Sequence, residues 1–178
     1  MKKYTLALPF LFATACEVVQ PETTVIPQLD SMVSCTDFDT NKELTIAAST
    51  SDNTVALVIY DPQGFESQGT AWGEGMEDRA DVELHVGTNV GINYCTDEVV
   101  TENITEVYKV IDSSELPEGL QTGEETSLGY AVMFPLCEGC GPIAEIDVQN
   151  LWFVSEDGDY VQIESTTRSV DITYYQGE

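Results

Sequence analysis

The chain is poor in positive charge and almost free of histidine. Its 178 residues include six Lys and Arg, one histidine (His85) and two tryptophans, against 32 Asp and Glu, so the formal net charge at pH 7 is −26. Nucleic-acid affinity rests on Lys and Arg displacing the counterions condensed on phosphates. A surface this acidic therefore excludes a nucleic-acid partner. Electrostatic docking on anionic lipid is excluded for the same reason, so any membrane contact needs an apolar or covalent anchor. No apolar run reaches the roughly 20 residues of a transmembrane helix. Catalytic signatures are missing as well: G-x-S-x-G, H-E-x-x-H, P-loop and dinucleotide patterns do not occur. A Ser or Cys nucleophile needs a base within hydrogen-bond reach, and His85 falls on the wet face of an expected strand. Among 32 acids, the closeness of two carboxylates says little about glycoside hydrolysis. The chain is therefore not expected to be an enzyme, and no cofactor is expected.

What is present at the start of the chain is a leader. Met1-Lys2-Lys3 supplies a positive segment, Tyr4 to Phe12 a short apolar one, and Ala13-Thr14-Ala15 the small residues that a signal peptidase requires. Residues 1–15 read as an export signal. The tetrad Ala13-Thr14-Ala15-Cys16 resembles the lipobox of bacterial lipoproteins, in which Leu, a small residue and Gly or Ala precede the Cys that receives diacylglycerol. Ala13 stands where that family has Leu, with Leu11 and Phe12 just upstream. The resemblance covers residues 1–16 alone and implies no activity. It implies a membrane partner through a lipid on Cys16, at the outer membrane or cell surface. The same residues also read as a plain Ala-x-Ala site, which would release a periplasmic or secreted soluble protein.

Residues 17–34, rich in Thr and Ser with Pro21 and Pro27, suit a semi-extended spacer, so 16–34 is expected to be a tether. An edge strand around Thr23–Ile26, confined by the two prolines, is the structural alternative. Residues 35–178 are long enough for one domain with its own core.

Setting Cys16 aside leaves Cys35, Cys95, Cys137 and Cys140, an even set in an exported chain. Of the three connectivities open to them, Cys35 with Cys95 and Cys137 with Cys140 is the expected one. Cys137-Glu138-Gly139-Cys140 has redox or zinc spacing too. Pro135, Gly139, Gly141 and Pro142 make it a loop, however, and no second pair of metal ligands accompanies it.

From residue 43 on, strands and turns dominate. In 81–87, Val82, Leu84 and Val86 alternate with Asp81, Glu83 and His85, which requires one buried and one wet face. Similar segments fall at 43–49, 54–60, 104–111, 128–134, 143–154, 160–165 and 169–175. No amphipathic helix of three turns competes with them. The expected fold is all-β, an antiparallel β-sandwich of immunoglobulin-like or jelly-roll type, with a closed barrel as the alternative.

The Gly-rich acidic stretches 61–80 and 112–127 are where a ligand would be expected. Weak candidates are Glu156, Asp157 and Asp159 for Ca²⁺, although Asp157-Gly158 is also ordinary hairpin chemistry. Trp72 could offer a platform for carbohydrate, while Trp152 and Phe153 read as core. The expected function is a non-enzymatic interaction or structural module of the bacterial envelope. A Ca²⁺- or carbohydrate-binding sandwich is the alternative, and a hydrolase a third reading.

Overall fold

The computed structural model describes residues 23–26, 28–37, 43–62, 80–90, 94–95, 103–121, 126–133 and 141–175. Among these residues the chain is all-β. The strands in chain order are β1 (Thr23–Ile26), β2 (Ser31–Asp37), β3 (Leu44–Ser49), β4 (Val55–Asp61), β5 (Asp81–Gly87), β6 (Ile104–Ile111), β7 (Ser127–Met133), β8 (Ile143–Gln149), β9 (Leu151–Val154), β10 (Tyr160–Ile163), β11 (Thr166–Asp171) and β12 (Thr173–Tyr175). They form two sheets of unequal size, a larger one in the order β1-β10-β9-β6-β5-β4-β3-β2-β12 and a smaller one in the order β11-β8-β7. The outermost strands of the larger sheet, β1 and β12, do not pair with each other, so the sheet stays open and the structure is a β-sandwich rather than a closed barrel.

Strands β2 to β6 are consecutive in sequence and adjacent in space, an antiparallel meander. The β3–β4 turn shows how local chemistry closes it. Asn53 takes φ 55°, a left-handed conformation that Asn tolerates. The Asp52 carboxylate accepts from Thr50 Oγ1 at 2.7 Å, Thr54 Oγ1 at 2.9 Å and Thr54 N at 3.2 Å. The Thr50 hydroxyl first, then the Thr54 hydroxyl and amide, hold that exposed carboxyl below its usual range.

Both edges of the larger sheet depart from the antiparallel rule. β1 pairs in parallel with β10, and β12 in parallel with β2. The tether expected over 16–34 is corrected accordingly, because Thr23–Ile26 and Ser31–Ser34 are sheet residues and Cys35 lies inside β2, not at a domain boundary. Two other segments divide in two. The run 143–154 breaks at Asn150, φ 46°, which hands the chain from the smaller sheet to the larger. At the other end, Ile172 separates β11 in the smaller sheet from β12 in the larger. A 3-10 turn, Ser113–Glu115, is capped by Asp112, whose Oδ1 accepts from Ser114 N at 2.7 Å.

The core lies between the sheets. Leu44, Ile46, Leu57, Ile59, Val82, Leu84, Phe153 and Ile163 on the larger sheet meet Leu128, Tyr130, Ala144, Ile146 and Val148 on the smaller one. Burying each large aliphatic side chain contributes about 1.5 to 3 kcal/mol relative to exposure. A polar contact spans the same gap, the hydroxyl of Tyr130 donating to buried Asp61 Oδ2. Along the core side of β2, Ser34 Oγ and Thr36 Oγ1 are buried and have no hydrogen-bond partner among the described residues. Each such group bears an uncompensated desolvation cost of about 1 to 3 kcal/mol.

Gly87 is sterically required. The β5–β6 register shifts between Val86 and Gly87, and a Cβ on Gly87 would lie 1.9 Å from the Asn103 carbonyl oxygen. That backbone cannot retreat cheaply, because the same carbonyl accepts from Thr88 N at 3.0 Å. Gly87→Ala is expected to destabilise the protein by about 3 kcal/mol, seen as a melting midpoint lowered by roughly 6 to 12 °C. Thr36→Val, which keeps the β-branched shape and deletes the orphaned hydroxyl, is expected to stabilise it by about 1 kcal/mol; a lowered midpoint would contradict this account of β2.

Candidate functional site

The chemistry-bearing side chains converge in two places, and the first is the β9–β10 hairpin. Its turn is closed by Ser155 N donating to Asp159 O at 3.0 Å, by Asp159 N donating to Ser155 Oγ at 3.1 Å, and by Gly158 at φ 88°. Glu156, Asp157 and Asp159 are exposed around this turn. Glu156 and Asp157 face an open groove of about 380 Å³ whose other wall is Ile104, Thr105, Glu106 and Val107 of β6. Beside it, burial pushes the Tyr108 hydroxyl up to about 12, helped by its hydrogen bond to Glu106 and by the charges of Glu106 and Asp159. Among the described residues, no three His, Cys, Asp or Glu side chains come together as a metal ion requires. The segment is an Asp-Gly hairpin turn with acids on its rim.

The second place is the outward face of the larger sheet. A disulfide joins Cys35 of β2 to Cys95, with Cα atoms 5.5 Å apart across 60 positions of sequence. Cys95 belongs to the connection between β5 and β6, which starts at the opposite side of β3 and β4. Three strand spacings, about 14 Å, separate β5 from β2. Near its origin the connection is fastened by Gly87 N and Val90 N, which donate to Thr54 O and Asn53 O, each at 2.9 Å. Midway along the connection the disulfide fastens it. The register turns Ala47 and Ala56 outward, since neighbours Ile46, Ala48 and Leu57 belong to the core, yet both alanines are at most 1% exposed.

His85 completes this arrangement. It stands on β5 between Ala56 of β4 and Val107 of β6, with its side chain only 12% exposed. Nε2 lies 3.0 Å from Glu83 Oε2, and Nδ1 bonds the hydroxyl of Tyr94, the residue preceding the disulfide cysteine. A neutral ring donating from Nε2 and accepting at Nδ1 uses both of its polar atoms. Burial first, and the Glu83 charge second, push the Tyr94 hydroxyl up to about 12. A phenol so held does not act as a base near neutrality, and Cys95 is occupied in the disulfide. The cluster is suited to latching the connection onto the sheet.

The remaining sequence candidates are scattered. Cys16, Trp72, Cys137 and Cys140 lie outside the described residues. Trp152 and Phe153 are buried, as expected of core residues. The sequence reading missed the covered position of His85, because strand alternation reports the face of a side chain and not what lies over it.

Neither a family model, nor a curated protein, nor a solved structure matches the chain.

The Tyr94 hydroxyl supplies an alkaline test. Its folded pKa of about 12 exceeds the ordinary 10.0. Above pH 10 the unfolded chain ionises this group while the folded one does not, so stability is unaffected below that pH and falls as pH rises toward 12. Tyr94→Phe is expected to flatten this loss in denaturant titrations between pH 9 and 11, by an amount that Tyr108 limits, and to lower neutral stability by about 1 kcal/mol through the lost hydrogen bond.

Proposed function

We propose that the chain is an exported lipoprotein, held in the bacterial envelope by a lipid on Cys16, whose acidic β-sandwich serves as a non-enzymatic interaction or structural module. The observation that carries the exported reading is the Cys35–Cys95 disulfide. Such bonds form and persist in oxidising compartments and are rare where glutathione and thioredoxin keep thiols reduced. The leader, with its Cys directly after Ala15, supports the same address.

The position of β1 sets the geometry of the anchor in this reading. Only residues 17–22 separate Cys16 from Thr23, the first residue of the sheet. Fully extended, that length of chain spans at most about 25 Å. The module would therefore ride close to the bilayer, with its negative charge opposing flat contact with anionic lipid. An interaction role fits the residues better than catalysis, because the sole histidine and its tyrosine partner are used up in holding the β5–β6 connection.

Mass spectrometry of the protein from the membrane fraction is expected to show a diacylglyceryl-modified Cys16 at its N-terminus, and Cys16→Ser is expected to move the protein to the soluble fraction. An unmodified Cys16 in a soluble product would rule the anchor out.

A further inference from the structure

We infer that the groove beside β6 takes a short extended segment of a partner protein, bound as an added strand and carrying Lys or Arg. This names a site for the interaction role and rests on that reading, though not on the lipid anchor. β6 is an interior strand of the larger sheet, yet only part of its far side is paired. Lys109, Val110 and Ile111 meet Val154, Phe153 and Trp152 of β9, and there β9 ends. Continued at the same register, Glu156 would face Val107. Instead it lies in the β9–β10 turn, which closes on itself through Ser155 N and Asp159 O. Ile104 to Val107, about 10 Å of strand, therefore border the open groove of about 380 Å³ rather than a neighbouring strand.

The ladder fixes which main-chain groups face that groove. Gly87 N donates to Thr54 O, on the side of β4. By antiparallel alternation His85 and Glu83 also turn their main-chain groups toward β4, while Val86 and Leu84 turn theirs toward β6. Their partners Glu106 and Tyr108 turn back toward β5. The N–H and C=O of Val107 and Lys109 consequently point the other way. Lys109 has Val154 for a partner, while Val107 has no main-chain partner there among the described residues. The register shift opposite Gly87, which leaves Thr105 as an extra residue, lies outside this stretch. A strand added along β6 supplies both missing bonds.

The walls choose the occupant. Glu106, whose carboxylate bonds the Tyr108 hydroxyl, stands on one wall, and exposed Glu156 and Asp157 stand on the other. No cation lines the groove, since Lys109 lies past it, opposite Glu83 in the β5–β6 register. A second copy of this chain is a poor occupant, because each copy carries a net charge of −26. Carboxylates alone would hold any polycation. The Val107 groups add the demand for an extended peptide backbone, and Ile104 and Val107 offer apolar contact to side chains between the cationic ones.

The probe is the peptide acetyl-Lys-Val-Lys-Val-Lys-amide, titrated into the whole protein with its disulfide intact, with amide hydrogen exchange followed residue by residue. Saturating peptide is expected to slow exchange at the Val107 amide about tenfold, while amides of β3 and β4 change little. N-methylating every peptide nitrogen keeps the charge and removes the donors, and is expected to weaken binding about tenfold. Glu106→Gln combined with Glu156→Gln is expected to weaken it about fivefold. Any of four results overturns the proposal: no protection at Val107, equal binding by the N-methylated peptide, unchanged binding by the double variant, or equal protection of Val107 by spermine. Protection elsewhere on the sandwich also overturns this site but leaves the interaction role standing, and the anchor is decided separately at Cys16.

Discussion

The disulfide between Cys35 and Cys95 is the constraint on which the rest of the larger sheet depends. Cys35 lies on β2, next to the sheet edge, and Cys95 on the connection that leaves β5 three strands away. Closing a loop of this length restricts the unfolded chain by about 4 kcal/mol in the chain-entropy model, a sizeable part of the 5 to 15 kcal/mol that typically separates folded from unfolded protein. The bond also acts locally. It places Tyr94 against His85, so that Nδ1 bonds the Tyr94 hydroxyl while Nε2 is bonded by Glu83 of the same strand. Gly87 is the hinge at the other end, where the Asn103 carbonyl comes so close that no side chain fits.

Charge works against compactness everywhere else. Removing residues 1–15, which contain Lys2 and Lys3 but no acid, would leave four cations against 32 acids. Among the described residues most acids lie on the rims of turns and on outward faces, where water and salt screen them, while buried Asp61 is reached by the hydroxyl of Tyr130. What resists the repulsion is apolar: two inner faces of Leu, Ile, Val and aromatic side chains forming one cluster. A sheet of nine strands carries most of that surface.

The sequence made the middle of the fold legible and its margins obscure, for a physical reason. Strands β3 to β6 are joined in order; β5 alternates cleanly, and the apolar, β-branched composition of β3, β4 and β6, with the turn between β3 and β4, locates the others. β1 and β2 instead pair with β10 and β12, more than a hundred residues away, and no local turn announces a parallel edge. Their Thr and Ser content consequently reads first as spacer, and the edge strand weighed as the alternative at Thr23–Ile26 is the one that forms. The break at Asn150 did leave a trace: the inward residues run 144, 146, 148 and then 151, 153, so the alternation slips by one position there. In the candidate site, the Cys35–Cys95 pairing was accessible from the even count of cysteines. The cover over His85 was not, because Tyr94 becomes its partner only once Cys35 is recognised as a strand residue on the outward face.

Placing β1 inside the sheet also changes how an anchor would act. With a spacer running to residue 34, a lipid on Cys16 would hold the module on a long leash, and any pull would dissipate in flexible chain. With the sheet starting at Thr23, the pull enters at the first residue of an edge strand bonded in parallel to β10, which is itself paired with β9. β1 has four residues, the first three of them exposed, and only Ile26 reaches the core. It is a weak grip by burial, and the ladder to β10 supplies the rest. The proposed anchor is thus coupled to the sandwich through main-chain hydrogen bonds more than through packing, and the neighbouring prolines at 21 and 27 keep that strand from lengthening.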